Sequence, residues 1–268
     1  MNVQTLNRSS GLPGVGRYTL WWMRELGRVM LFFLSSLSRI VFPPFKWGRV
    51  LEQIHFIGMR SLFVVSLTGL FAGMVLGLQG YYTLTKFGSE TVLGAAVALS
   101  LIRELGPVLT ALMVTGRAGS SMAAEIGVMR ISEQIDALDT MNIDPLKFLI
   151  SPRLAASVIS FPILTAVFDT VGIIGGYLTG VVMLGVNSGT YLSRMESTVL
   201  MEDVTGGFLK SLVFALVVCI ICCYVGYTTH ERRGVHGAQA VSLSTTTAVV
   251  LSSVLILVTD YILTSFLL

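Results

Sequence analysis

Charged residues are scarce in this chain: Asp, Glu, Lys and Arg together make up 12% of its 268 residues, about half the share that is usual in soluble domains. Apolar residues make up 53%, and they form long uncharged runs instead of repeating with the period of an amphipathic helix or strand. A soluble chain of this size would carry more apolar side chain than its core could hide. The composition therefore predicts an all-α integral membrane protein.

Motifs of several function classes are also missing. No phosphate-binding loop of the form Gly-x-x-x-x-Gly-Lys-Ser/Thr occurs, and the segment Gly206 to Ser211 lacks its spacing. We therefore expect no cofactor and no catalytic residue on this chain. Cys219, Cys222 and Cys223 share one apolar run and the three His have no ligand spacing, so we expect no metal site. The net charge of +3 is too small to indicate nucleic-acid binding.

Five apolar stretches are long enough to cross a hydrocarbon core of about 30 Å. The third could instead be a hairpin of two spans broken at Gly172–Gly176. Its apolar run ends near Val186, which leaves too few residues for a second crossing, so one long span is favoured. We predict a cytoplasmic N-terminal part, 1–60, and a membrane-spanning domain, 61–268, with spans at about 61–85, 91–116, 154–186, 207–229 and 241–267.

Basic residues are distributed unevenly between the two ends of these spans. Fourteen Lys and Arg fall on the N-terminal side of the membrane, against three on the other side, Lys86, Arg194 and Lys210. The positive-inside rule then makes the N-terminus cytoplasmic and places the C-terminus on the outer side of the membrane.

Before the first span, Tyr18 to Phe42 carries Trp21, Trp22, Arg24, Arg28 and Arg39 around a short apolar run, followed by Pro43-Pro44. This pattern predicts an amphipathic helix that lies in the cytoplasmic interface. The alternative is a poorly inserted transmembrane helix.

The segment between spans two and three has a short amphipathic pattern. Val128, Ile131, Ile135 and Leu138 repeat at helical spacing between Ala123 and Met141, and Glu133 with two Asp residues lies off that stripe. Such a helix is either a plain surface helix or one that docks into a groove on a cytoplasmic motor.

Three runs in this chain carry a family resemblance. They are Gly73 to Gly80 (GMVLGLQG), Leu101 to Val108 (LIRELGPV), and Glu125 to Arg153, which contains EIGVMR, EQIDAL and SPR. In this order they closely resemble the signature of the MlaE (YrbE) permease family, from about residue 50 to the C-terminus. The likeness weakens at Ala240 to Thr247, where relatives usually have an Arg that this chain lacks.

The resemblance implies a homodimeric permease, without enzymatic activity, in an ABC transporter of phospholipid that maintains outer-membrane lipid asymmetry. It implies a place in the bacterial inner membrane and three kinds of protein partner: a cytoplasmic ATPase dimer that binds ATP and Mg, a STAS-domain protein, and a periplasmic ring of MCE-domain subunits. It also implies that Ala123–Met141 is the coupling helix to the ATPase.

Ionisable groups at membrane depth are costly and need a partner, water or a task. Arg103 and Glu104 lie mid-way along span two, where they form either an ion pair to another helix or a headgroup site in which Arg103 meets phosphate. Lys210 and Asp260 are expected to form an ion pair in the outer leaflet. Near the outer end of span one, further candidate lipid contacts are Leu76, Leu78, Gln79, Tyr81 and Tyr82, of which the last three are also typical interfacial anchors.

The rival interpretation is a proton-coupled secondary transporter of a lipophilic substrate, with Asp169, Glu104 and Asp260 as proton carriers. Inverted repeats would then be expected, and none is visible. The interfacial helix and the segment after span two would have no use in that scheme.

Overall fold

The computed structural model describes residues 14–41, 47–231 and 237–267, which are helical and contain no strand. A short 3-10 turn covers Thr229–Glu231. The other helices are α1 (Gly14–Val41), α2 (Trp47–Thr85), α3 (Glu90–Ile131), α4 (Gln134–Thr140), α5 (Leu146–Met183), α6 (Ser188–Thr198), α7 (Met201–Tyr227) and α8 (Ala238–Leu267).

Five of these helices, α2, α3, α5, α7 and α8, are long and apolar enough to cross a membrane. This confirms the predicted number of spans. The third stretch is one helix that runs through Gly172–Gly176, so the hairpin alternative is wrong. Several helices extend beyond the predicted spans, because a helix continues into polar sequence for as long as packing supports it. In α2 and α3 the extension includes the π-helical turns His55–Met59 and Thr115–Gly119.

Helix α1 carries polar residues along its length and is not among the helices apolar enough to cross. It rests on α7, where the Phe32 ring lies 5.5 Å from the Tyr224 ring and the Tyr224 hydroxyl donates to Glu25 at 2.6 Å. An amphipathic helix on the side of the bundle fits the predicted interfacial placement better than a spanning one. The side chains of Trp21, Trp22 and Arg39, together with Pro43, Pro44, Arg232 and Arg233, lie outside the described residues.

Glycines repeat every four residues along α2, at Gly69, Gly73 and Gly77, and along α5, at Gly172, Gly176 and Gly180, and the two stripes face each other within the chain. A Cβ on Gly73 would lie 1.8 Å from the carbonyl oxygen of Gly172, and one on Gly69 would lie 2.8 Å from that of Phe168. Absence of side chains lets the backbones of α2 and α5 approach this closely. The stripes therefore form an intramolecular seam. The three cysteines are buried in the core as free thiols.

The predicted single helix over Ala123–Met141 is wrong. Helix α3 runs on to Ile131, and a turn at Ser132–Glu133 separates it from the seven-residue α4. Glu133 has a φ of 59°, a left-handed conformation that costs about 1–2 kcal/mol in a residue with a Cβ. Burial of Ile135 on the far side of the turn offsets this cost. The end of the bundle where α4 lies is called the α4 end below.

Candidate functional site

A cluster of charged side chains lies between α3, α7 and α8, toward the end of the bundle opposite α4. Its α3 members, Arg103 and Glu104, sit on a π-helical turn, Leu101–Leu105. Such turns are frequent at functional sites. The α7 and α8 members are Asp203, Lys210, Asp260 and Thr264.

Lys210 is the centre of this cluster, and only 2% of it is exposed. Its Nζ donates to Glu104 at 2.7 Å, to Thr264 Oγ1 at 2.7 Å and to the Arg103 carbonyl at 2.9 Å. Asp260 Oδ1 lies 3.2 Å away, so the proposed partner is in contact but shares Lys210 with Glu104. Three donors meet several acceptors, which is the arrangement that a buried ammonium requires.

Arg103 forms an ion pair with Asp203. Its Nε and Nη2 lie 2.6 Å and 2.5 Å from Asp203 Oδ1. The other oxygen of Asp203 accepts the backbone N–H of Leu200 at 2.9 Å, which caps the start of α7. Asp203 is nearly buried, whereas 43% of the Arg103 side chain stays exposed. One edge of the guanidinium therefore remains open to a further anion.

An open cavity of about 120 Å³ adjoins these residues. The charged groups on its wall are Arg103, Glu104, Glu202, Asp203 and Lys210. Two cations thus face three carboxylates, which can receive both a phosphate and an amine.

The cavity lining, as drawn from the described residues, includes none of the candidates on α2, namely Leu76, Leu78, Gln79, Tyr81 and Tyr82. Leu76 and Tyr81 instead pack against the core, and the rings of Tyr81 and Tyr82 meet edge to face at 5.9 Å.

The sequence did not indicate Asp203 and Thr264 as site residues, because both lie near the ends of predicted spans. A usable signal existed for Asp203: it precedes Lys210 by seven residues, two turns of one helix face. Asp169 belongs to α5 and packs against a different side of α3 from the cluster. Its Oδ1 occupies the space beside Gly106 and has no hydrogen-bond partner among the described residues.

At the α4 end, Arg130 joins three elements. Its guanidinium contacts Asp136 of α4 at 2.5 Å, His230 at 3.0 Å, and the face of the Tyr227 ring at 5.2 Å. Arg130 thereby connects α4 to the ends of α3 and α7.

The five residues predicted to dock a motor are not on one surface. Val128 and Glu133 are exposed, and Ile131 and Leu138 are partly buried. Ile135 is fully buried in the core of its own chain. As a docking residue Ile135 is therefore wrong, because the turn at Glu133 points it inward.

Known proteins resemble this chain over most of its length. The family model "Permease MlaE" matches residues 50–266. The "Intermembrane phospholipid transport system permease protein MlaE" of Haemophilus influenzae is 42% identical over 95% of this chain and 96% of its own length. A "Probable ABC transporter permease protein" of Rickettsia bellii is 42% identical over 93% of this chain and 95% of its own length.

A plant protein matches as well. The chloroplastic protein TRIGALACTOSYLDIACYLGLYCEROL 1 of Arabidopsis thaliana is 36% identical over 85% of this chain and 64% of its own length. Family match, relatives and the five membrane-crossing helices agree, and the chain belongs to the MlaE permease family.

Proposed function

We propose that this chain is the permease subunit of an ABC transporter that moves phospholipid between the bacterial inner membrane and a periplasmic MCE-type carrier. The observation that carries the proposal is the Arg103–Lys210 cluster, a set of ion-paired groups on membrane-crossing helices that opens to a cavity. Groups of this kind mark substrate paths in membrane proteins. The name of the Haemophilus relative supplies the substrate class.

In this proposal the open edge of Arg103 binds the lipid phosphate. Asp203 orients the guanidinium from behind, so the remaining N–H groups point toward the cavity. A guanidinium binds a phosphodiester through two parallel hydrogen bonds. Lys210 is saturated by Glu104, Thr264 and Asp260 and so holds the wall together without binding lipid.

The energy comes from a separate ATPase dimer that binds ATP and Mg. Its contact on this chain is the stretch from Val128 at the end of α3 through α4 to Met141, called the α4 segment, through exposed residues such as Val128, Glu133 and Met141. We further propose a homodimer in the inner membrane, with a STAS-domain protein on the ATPase, an MCE-domain ring in the periplasm, a cytoplasmic N-terminus and a periplasmic C-terminus. The proton-coupled alternative is not retained, because the relatives are named as ABC permeases and Glu104 and Asp260 are both held by Lys210.

Purification of the chain from native membranes tests the proposal directly. We expect an ABC ATPase and phospholipid to co-purify with it, and lipid transfer to an MCE-domain acceptor to require ATP. Transfer that follows a proton gradient without ATP would refute the proposal.

A further inference from the structure

Two π-helical turns lie side by side at the α4 end of the bundle, His55–Met59 in α2 and Thr115–Gly119 in α3. Arg117, in the second turn, bridges them. Its Nη2 donates to the carbonyl oxygens of Phe56 and Ile57, and its Nε donates to Ser61 Oγ at 2.7 Å. Both acceptor carbonyls belong to the first of the two turns, so the guanidinium joins α3 to the π-helical turn of α2. Arg117 is therefore fixed in position.

Arg60 lies beside this bridge and adds a second cation. The guanidinium carbons of Arg60 and Arg117 lie 5.7 Å and 5.3 Å from the centroid of the Phe56 ring. Within the described residues neither forms an ion pair with a carboxylate, and the partners of Arg117 are neutral oxygens. By contrast, Arg103, Arg130 and Arg153 each have an acidic partner. Two neighbouring cations without a counterion repel each other, and an anion between them removes this repulsion.

The surface that continues from these arginines along α2 is apolar. Arg60 borders the uncharged stretch Ser61 to Thr85 of α2, and Arg117 borders the stretch Thr91 to Gly116 of α3, in which Arg103 and Glu104 are the only charged residues. Both arginines therefore lie where a membrane changes from headgroup to hydrocarbon. The exposed stripe runs on the side of α2 away from the glycine seam, over about 18 Å at 1.5 Å per residue. Its residues are Phe63, Leu67, Phe71 and Val75.

We propose that Arg60 and Arg117 bind the headgroup phosphate of an anionic phospholipid, with the Phe56 ring between them and an acyl chain along the α2 stripe. Paired guanidinium groups match the geometry of phosphate oxygens. The adjoining stripe favours a lipid over a free phosphate, because a soluble anion gains nothing from apolar surface. This site is distinct from the Arg103 cluster, which lies about 21 Å away along α3.

Lipid retention by the full-length chain tests the site. The chain is placed in nanodiscs of phosphatidylcholine with a minor share of phosphatidylglycerol, and native mass spectrometry measures the phosphatidylglycerol retained. We expect Arg60→Gln to lower its affinity about fivefold, since the variant loses the charge-assisted hydrogen bonds that the guanidinium donates to the headgroup phosphate. Lys86→Gln is the matched control, because Lys86 is an exposed cation at the opposite end of α2, and it should change nothing.

The outcomes separate the sources of the anion and the role of each arginine. Arg117→Gln should lower retention further, but it also removes the bridge between the π-helical turns, so Arg60→Gln decides if that variant misfolds. Unchanged retention in Arg60→Gln overturns the site. Displacement of phosphatidylglycerol by soluble glycerol phosphate overturns the lipid assignment. Because the readout is binding, loss of transport in an otherwise lipid-retaining chain would count against the proposed function alone.

Discussion

Arg103 has two possible roles, as the ion-pair partner of Asp203 and as a ligand of the lipid phosphate, and the two predict different effects of mutation. Its partner Asp203 is nearly buried, and an unpaired buried carboxylate costs about 3–5 kcal/mol. Arg103→Ala should therefore lower both stability and bound phospholipid.

The double variant Arg103→Ala with Asp203→Ala separates the two roles. It removes the unpaired charge but also the Asp203 cap at the start of α7, which contributes about 1 kcal/mol. We therefore expect thermal stability to recover in part while photocrosslinked phospholipid and outer-membrane barrier function stay low. If the double variant transports lipid normally, Arg103 is purely structural and the headgroup site is refuted.

Lys210 has two carboxylate partners, and this changes the expected effect of reversing its charge together with that of Asp260. A simple pair keeps its attraction when both charges are swapped. Here Lys210→Glu would place a carboxylate against Glu104, which lies closer to Lys210 than Asp260 does. We therefore expect the double reversal with Asp260→Lys to restore little.

Neutralising Lys210 together with both of its carboxylate partners should restore stability better than reversing the charges does. Lys210→Met alone is expected to lower the free energy of unfolding by about 3–5 kcal/mol. Adding Glu104→Gln and Asp260→Asn should recover most of that loss, as measured by thermal unfolding in detergent. Full recovery by the double reversal alone would show that Glu104 is not a partner.

At the scale of elements, the seam between α2 and α5 depends on glycine. A Cβ at position 73 would collide with the backbone of Gly172, which cannot move aside as a flexible side chain would. We expect Gly73→Ala to destabilise the chain by at least about 2 kcal/mol, visible as a lower Tm. Gly48→Ala is the control, because nothing lies within 4 Å of its added Cβ. Equal Tm values for the two variants would contradict the seam.

The coupling role of the α4 segment is tested through its exposed side. Val128 is 51% exposed, so Val128→Arg should leave insertion and thermal stability unchanged while it lowers co-purified ATPase about tenfold, because a charge enters an apolar docking surface. Met201→Arg, an exposed apolar position at the opposite end of the bundle, serves as control. Wild-type ATPase recovery and transport in Val128→Arg would refute the assignment. Ile135→Arg is unsuitable for this test, since it places a charge in the core.

At the scale of the whole molecule, the proposed complex assigns lipid transport to this chain and ATP hydrolysis to a separate subunit. The chain lacks a phosphate-binding loop, so the isolated, verified pure subunit should neither bind nor hydrolyse ATP. Hydrolysis should appear only when the separate ATPase is added, as measured by phosphate release. Hydrolysis by the subunit alone would contradict the proposed arrangement.

The number of spans and the family could both be predicted from the sequence by itself. These properties depend on local composition and on short runs of residues, such as Leu101 to Val108. Five apolar stretches are visible as such because a bilayer imposes a minimum length on each crossing helix.

Only the tertiary structure decided which charges meet. Arg103 and Asp203 are separated by one hundred positions, and Lys210 lies within reach of both Glu104 and Asp260. Spacing along one helix cannot specify contacts among three. The helix break at Glu133 could not be predicted from the sequence for a related reason. The stripe from Val128 to Leu138 has helical spacing, but burial of Ile135 favours a turn that local propensity opposes. Local pattern determined the helices, and long-range packing determined which of their side chains form a site.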